Sequence, residues 1–596
     1  MVSSVFCAAG VVLSLIAHVG ASSSHSHCEE YDYIVVGGGT SGLVVANRLT
    51  ENRRTTVLVI ERGGFANGPR AIIPYWANDL DTSLMIRPTS APNPQLHNLT
   101  IQVAVPAVVG GATVINGMAY MRGSRTDYDA WEELGNPGWG WRGLLPYFRK
   151  SSTFAPPSPP AVQAWNMTWD PAAFGSGPVY STIADFQWPD LQPFWSSWRS
   201  EPGIPQPADL NSGHGPGAYW GPSTIDRRDM TRTTARKAYY DPVFAQRPNL
   251  RLLTEHTATQ IVFRNLRATG VKVRRNQEDD DDARTFCARK EVILAAGAIQ
   301  TPHLLQVSGV GPKHVLQAAG IPVVKHVPGV GANFQDHATV FMIFNLANAS
   351  FPNPGTMAAN ATARGGGGLG HGIAAVAVPR HILSRSHREP AHRSGSHAVP
   401  AKFPGLRVIA QGFQEAEVDP GTSPVLQQRI RLGSPVPGGG VSPGVMLKPL
   451  SRGTVTLDPA DPHGLPVVQY NTFMNPVDAE IAVSVVKRAR AFWSKPDIAV
   501  LGPSEISPGA QHQTDEEILA ALKNGALIPS LAHPSGSCSM MPEDLGGCVG
   551  PDLKVHGLKG LSIIDASVIP MIPGAPLQAT VYAIAEKAAD IIKSRA

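Results

Sequence analysis

The chain has 596 residues, 43% of them hydrophobic and 16% charged, with a formal net charge of +4. That composition is globular and argues against wholesale disorder, and the length is enough for more than one domain or for one large core with a cap. So small a charge, with no basic stripe interleaved with aromatics, argues against nucleic acid as a partner.

The first residues read as a secretory signal peptide over 1–21. Val5 to Val19 is mostly apolar, and Val19-Gly20-Ala21 before a serine run offers a small-residue cleavage site, although no Lys or Arg precedes it. The run is too short for a bilayer span and is broken by His18 and Gly20, and no later stretch is long and apolar enough to span. Four sequons, at Asn98, Asn166, Asn348 and Asn360, fit a secretory route to the cell exterior, wall or vacuole. Without the leader the cysteines are Cys28, Cys287, Cys538 and Cys548, too few for a disulfide scaffold and without zinc-ligand spacing. For a single bridge, Cys538 and Cys548 are the nearest pair.

Tyr31 to Val36 is an apolar run rich in Val, predicted as a strand. Gly37-Gly38-Gly39-Thr40-Ser41-Gly42 follows at once, then a helix-like pattern at Leu43, Val44, Ala46 and Leu49. Val57 to Ile60 is a second buried strand ending at Glu61, which completes a βαβ unit and an α/β fold class. Further strands are predicted over Leu252–Phe263, Ala268–Arg274, Val292–Ala298 and Leu561–Asp565, and an amphipathic terminal helix over Thr580–Ser594. The acidic run Glu278–Asp282 reads as a solvated hairpin tip. Residues 351–403 are rich in Gly, Pro, Ser and Arg without periodicity, so they read as a mobile lid or a disordered insert. The histidines there (His371, His381, His387, His392, His397) are irregularly spaced, and we assign them to solvated loop rather than to a metal.

Gly37-x-Gly39-x-x-Gly42 follows a strand and opens a helix. The first glycine makes the tight turn, the second lets backbone N–H groups approach a pyrophosphate, and the third lets helix and strand pack closely. Glu61 is placed to accept hydrogen bonds from a ribose, which disfavours a 2′-phosphate and leaves FAD and NAD open.

Three more small-residue loops lie further on: Val109 to Gly123, Gly297 to Leu305 and Val327 to His337. The tail adds His533-Pro534-Ser535-Gly536-Ser537-Cys538, Val555 to Leu558, Ile564 to Pro570 and Ala585 to Asp590. In this combination the chain resembles the glucose–methanol–choline (GMC) family of FAD oxidoreductases, from about residue 30 to the end. The resemblance implies a Rossmann-like FAD-binding domain assembled from separated segments (30–190, 251–337 and 531–596) and a substrate domain with a mixed or antiparallel sheet (191–250 and 338–530). It implies that Gly37, Gly39, Thr40, Ser41 and Gly42 hold the pyrophosphate and Glu61 the ribose. It places Thr113, Asn116, Gly117 and Met118 along the isoalloxazine, Ala258 at the adenine end, and Asp565 and Ala566 against the flavin again. Some members attach flavin to a histidine just before the loop amide; here that position is Ile115, so non-covalent FAD is expected.

The resemblance makes His533 the base that takes the hydroxyl proton of an alcohol while hydride leaves for flavin N5. An imidazole suits that role near neutral pH. His337 reads as a packing residue. The family's second active-site residue, His or Asn, falls on Pro576, which has no polar group. Three readings follow: His533 acts alone, Gln578 or a polar group of the substrate domain binds the substrate oxygen, or the redox step is lost. Short stretches (Val114–Met118, Arg122–Ser124, Ile572–Ala575) resemble fungal secondary-metabolism members, some of which dehydrogenate an alcohol and some of which keep FAD but perform a non-redox cyclodehydration. The expected partner is a small-molecule alcohol; the electron acceptor and the oligomeric state stay open.

Overall fold

The computed structural model describes residues 28–595 except 78–79, 186, 188–190, 216, 278–282, 349–371, 378–416 and 420–438. The leader, the acidic run and all of 351–403 except Gly372–Ala377 therefore lie outside the described residues.

Strand Glu29–Val36 runs parallel to Val57–Ile60, with helix Thr40–Leu49 between them. Tyr31 to Val36 and Val57 to Ile60 are all buried, as strands covered on both faces must be. Leu250–Leu253 extends the sheet beyond Val57–Ile60, also in parallel. On its other side Glu29–Val36 pairs in parallel with Arg284–Leu294, which in turn takes Leu561–Ile563. Arg284–Leu294 also pairs antiparallel with Arg267–Arg275, and that strand with His256–Arg264. One mixed α/β sheet thus collects segments from the start, middle and end of the chain.

A second seven-stranded sheet is antiparallel throughout. Ala338–Leu346 is its hub and pairs with Gly439–Met446, Pro503–Ser507 and Leu527–Ile528. Glu417–Asp419, Gly372–Ala377 and Gly217–Trp220 continue it outward. Helix Pro476–Trp493 packs its buried Ile481, Val485, Val486 and Phe492 with Val340, Met342 and Phe344 of the hub strand.

Two expectations are corrected here. Leu252–Phe263 is not one strand: the chain breaks at Glu255, whose φ of 59° is in the left-handed region, and separates Leu250–Leu253 from His256–Arg264. The disulfide joins Cys28 to Cys287, with Cα atoms 5.8 Å apart, while Cys538 and Cys548 are free and buried. Parallel pairing sets Glu30 beside Cys287 and brings the first pair together across 259 residues. Nearness in sequence was the wrong guide.

Candidate active site

The carboxyl ends of the parallel strands Glu29–Val36, Val57–Ile60, Arg284–Leu294 and Leu561–Ile563 open on one edge of the first sheet. A crevice at that edge is where open α/β sheets take ligands. Gly37 turns there with φ +109°, and a Cβ on it would meet the Ala295 carbonyl oxygen at 2.4 Å. A Cβ on Gly42 would stand 1.9 Å from the Gly37 carbonyl oxygen, so only glycine lets the helix start so close to the strand. Glu61, buried at the end of its strand, accepts from Gly38 N–H at 2.8 Å through Oε2 and from Gly63 N–H at 2.7 Å through Oε1. Burial pushes its carboxyl up to about 7 against those two bonds.

The Val109–Gly123 loop closes on this turn, with Gly110 N–H donating to the Gly38 carbonyl at 2.8 Å. Buried Thr113 donates to the Gly110 carbonyl and accepts from Ala235 N–H, which fixes the short helix Ala112–Ile115. Asn116 Oδ1 accepts from Met118 N–H at 3.0 Å and from Arg232 Nη1 at 2.8 Å. Its Nδ2 donates to Gln578 Oε1 at 2.6 Å, at the start of the terminal helix Gln578–Lys593. Arg232 is buried, also donates to the Asn116 carbonyl at 2.6 Å, and burial lowers its guanidinium to about 9. At the opposite wall Asp565 accepts from Gly297 N–H, Thr301 Oγ1 and Ser567 N–H. Gly37, Gly39, Thr40, Asn116, Gly117, Gly297 and Ala566 are partly exposed amid buried neighbours, and they mark the groove.

His533 stands on the loop after Leu527–Ile528 and is partly exposed. Gln335 and Ser535 exchange two backbone hydrogen bonds of 2.9 Å, which stitches that loop to the Val327–His337 segment. Buried Asp336 accepts from His533 N–H at 3.0 Å, Leu531 N–H at 3.3 Å and Ser530 Oγ at 2.6 Å. Burial holds the Asp336 carboxyl up at about 7 against those donors. Burial also lowers the His533 imidazole to about 4, so it is a neutral group at physiological pH. His533 Nδ1 lies 2.9 Å from Nδ1 of His337, with the two rings perpendicular and 5.0 Å apart. His337 is wholly buried, as a packing residue would be, yet it touches the candidate base directly.

Pro576 is partly exposed and sits just ahead of the terminal helix, beside Ala575, which packs with Met121, Leu210 and Tyr219. Gln578 is 8% exposed; its Oε1 accepts from Asn116 and its Nε2 donates to Thr224 Oγ1 at 3.5 Å.

GMC oxidoreductase family models match residues 31–339 and 449–585. A dehydrogenase of Emericella nidulans, xptC, is 35% identical over 95% of this chain and 93% of its own length. The chain superposes on an FAD-dependent oxidoreductase from Chaetomium thermophilum with a TM-score of 0.84 and 36% identity, covering 95% of this chain and 99% of the other. A fungal aryl-alcohol oxidase gives a TM-score of 0.81 and 33% identity over the same shares. The chain belongs to the GMC oxidoreductase family.

FAD is the cofactor of this GMC enzyme, and the crevice fits it. A Cβ on Gly39 would meet nothing nearer than the Gly111 Cα at 3.7 Å, so the helix N-terminus is left open for a pyrophosphate to approach. Gly297, facing it, has nothing within 4 Å. Glu61 keeps carboxylate lone pairs for two ribose hydroxyls beyond the two N–H groups it already accepts. Ala258 lies two residues past His256, whose N–H donates to the Glu61 carbonyl, so it stands at the ribose side of the groove.

The pairings that build the site, Glu61 with His256 near Ala258, Asn116 with Gln578 and His533 with His337, each join segments far apart in sequence. Asp336, Arg232 and the contact between His337 and His533 were missed at the level of sequence. The Gln335-Asp336-His337 triplet was visible as a motif, but nothing in its pattern says that it faces residues 530–535.

Proposed function

We propose that this GMC enzyme oxidises an alcohol on a small secondary metabolite to the carbonyl compound, with His533 as the base. The carrying observation is His533 itself: a neutral imidazole, partly exposed, with one nitrogen engaged by His337 and its backbone pinned by Asp336. The free imidazole nitrogen takes the hydroxyl proton. FAD, when bound, supplies the acceptor for the hydride that leaves the carbinol carbon. One base suffices for one hydroxyl proton, so Pro576 does not prevent the reaction, and its apolar ring makes that side of the pocket suited to a hydrocarbon or aryl group. The dehydrogenase and aryl-alcohol oxidase relatives support a small alcohol. Ile115 offers no nucleophilic atom, which supports non-covalent FAD; acid precipitation should leave the yellow colour in the supernatant.

The secretory route is part of the same proposal. The apolar leader, the sequons at exposed Asn98 and Asn166 and the Cys28–Cys287 disulfide support it. A mass decrease on glycosidase treatment of protein from the native host is the expected result.

Anaerobic mixing with primary and benzylic-type alcohols tests the activity. Bleaching of the flavin absorbance near about 450 nm, with carbonyl product, is expected. Product formed over an unbleached flavin would establish cyclisation without redox and overturn the proposal. His533→Ala is expected to lower turnover on the order of 10²-fold or more, and wild-type turnover would place the base elsewhere.

A further inference from the structure

We propose that His337 is a positioning residue: it accepts a hydrogen bond from His533 Nδ1–H and so holds the lone pair of His533 on Nε2, where substrate binds. The inference rests on the reading of His533 as the base.

Two neutral imidazoles 2.9 Å apart, Nδ1 to Nδ1, need one donor and one acceptor. Which ring donates decides whether His533 is a base at all. If His337 donated, His533 would carry its proton on Nε2 and would present an N–H to the alcohol. The surroundings of His337 settle the direction. Its ring is wholly buried, and backbone carbonyls of Leu447 and Pro573 stand beside it. A carbonyl only accepts, so the His337 proton belongs on Nε2, the nitrogen turned away from His533. Nε2 makes no hydrogen bond of normal geometry. Because Nδ1 is already taken up by His533, Nε2 is the nitrogen left for those carbonyl oxygens, and a proton there suits them better than a bare lone pair. His337 Nδ1 is therefore the acceptor, His533 Nδ1 the donor, and His533 Nε2 the basic nitrogen.

The backbone keeps the two rings in this relation. Gln335 and Ser535 pair two residues ahead of His337 and two beyond His533, and Asp336 accepts from His533 N–H between them. After His533 takes a proton on Nε2, both its nitrogens carry hydrogen and His337 remains an acceptor. The bond then becomes charge-assisted and strengthens as the proton arrives. An interaction that is stronger after proton transfer than before it lowers the barrier. Pro576 gives the arrangement its importance, because His337, just ahead of strand Ala338–Leu346, supplies the orientation that this position cannot.

The test compares His337→Asn and His337→Leu in the FAD-loaded enzyme. Asn can set its Oδ1 near the place of the imidazole Nδ1 and accept; Leu fills space but cannot accept. We expect His337→Leu to lose kcat on the order of 10²-fold with KM within a few-fold, and His337→Asn to retain most of it. FAD content and Tm of each variant report on folding. If His337→Leu does not fold, His337→Gln replaces it, because its amide reaches the carbonyls and not His533; it should show the same loss. Equal losses for Asn and Leu, or no loss for either, would overturn the tautomer assignment. Added to His533→Ala, His337→Leu should cost nothing further in turnover, whereas a packing role would add its own loss. Wild-type turnover in His533→Ala alone would sink the base reading instead, and so separates the two failures.

Discussion

His533 is held near a pKa of about 4 by burial, against 6.5 for an ordinary histidine. A base works only while unprotonated, so the acid limb of kcat/KM should have its midpoint near pH 4, and the enzyme should stay active through pH 5. The same shift has a stability consequence with a definite sign. Between pH 6.5 and about 4 the unfolded chain takes up a proton on this residue and the folded one does not, so its contribution to stability is lost as pH falls through that window. A pH profile of kcat/KM on substrate checks the kinetic half, and a limb near 6.5 would mean that His533 is more solvated than its surroundings imply. At this scale the sequence was legible where the residue type alone suits the chemistry, as with glycines for close approach, a carboxylate at a strand end and an imidazole in the tail. It was silent where the role depends on a neighbour. Asp336 and His337 acquire their roles only by facing residues nearly two hundred positions away.

The terminal helix Gln578–Lys593 shows the same division one level up. Its existence was legible from apolar periodicity, and its observed bounds differ from Thr580–Ser594 by two residues at one end and one at the other. Its central carboxylate was not legible. Glu586 is wholly buried and accepts from Arg48 Nε at 2.9 Å, Arg48 Nη2 at 2.7 Å and Tyr239 Oη at 2.9 Å, with Lys150 Nζ at 3.3 Å. Three other helical segments, Thr40–Leu49, Trp141–Ser151 and Arg236–Tyr240, therefore meet on one side chain. Glu586→Ala would leave Arg48 and Tyr239 facing an uncompensated hole. We expect a loss of about 3 kcal/mol, as for other buried pairs broken from one side. Thermal unfolding would record it as a lower Tm. Because the helix begins at Gln578, bonded to Asn116, FAD content should fall along with stability. Unchanged Tm and FAD content would show that the four segments hold together through their apolar contacts alone. The break at Glu255 is the converse case: the polar stretch Thr254-Glu255-His256-Thr257 was absorbed into one predicted strand, and the left-handed residue within it ends one strand and starts the next.

Across the whole molecule, the assembly of one sheet from the start, middle and end of the chain followed from the family resemblance; the local pattern of each strand names no partner. The disulfide is the sharpest instance. Composition allowed one bridge, and nearness in sequence favoured Cys538 with Cys548. The parallel pairing of Glu29–Val36 with Arg284–Leu294 brings Cys28 and Cys287 together instead. That bridge closes a loop of 259 residues, and it ties Cys28, just ahead of the first strand, to the strand that leads to the Gly297 turn and pairs with Leu561–Ile563. A cross-link over so long a loop removes much freedom from the unfolded chain, and native bridges are worth about 2–4 kcal/mol in practice. Cys287→Ser should therefore lower Tm while leaving the His533 region intact, with kcat near wild type in protein that still holds FAD. Non-reducing peptide mapping decides the pairing directly. A Cys28–Cys287 cross-linked peptide is expected, with Cys538 and Cys548 alkylated only after denaturation because both are fully buried. A Cys538–Cys548 peptide would reverse the assignment and would leave the first strand of the FAD crevice held by hydrogen bonds and packing alone.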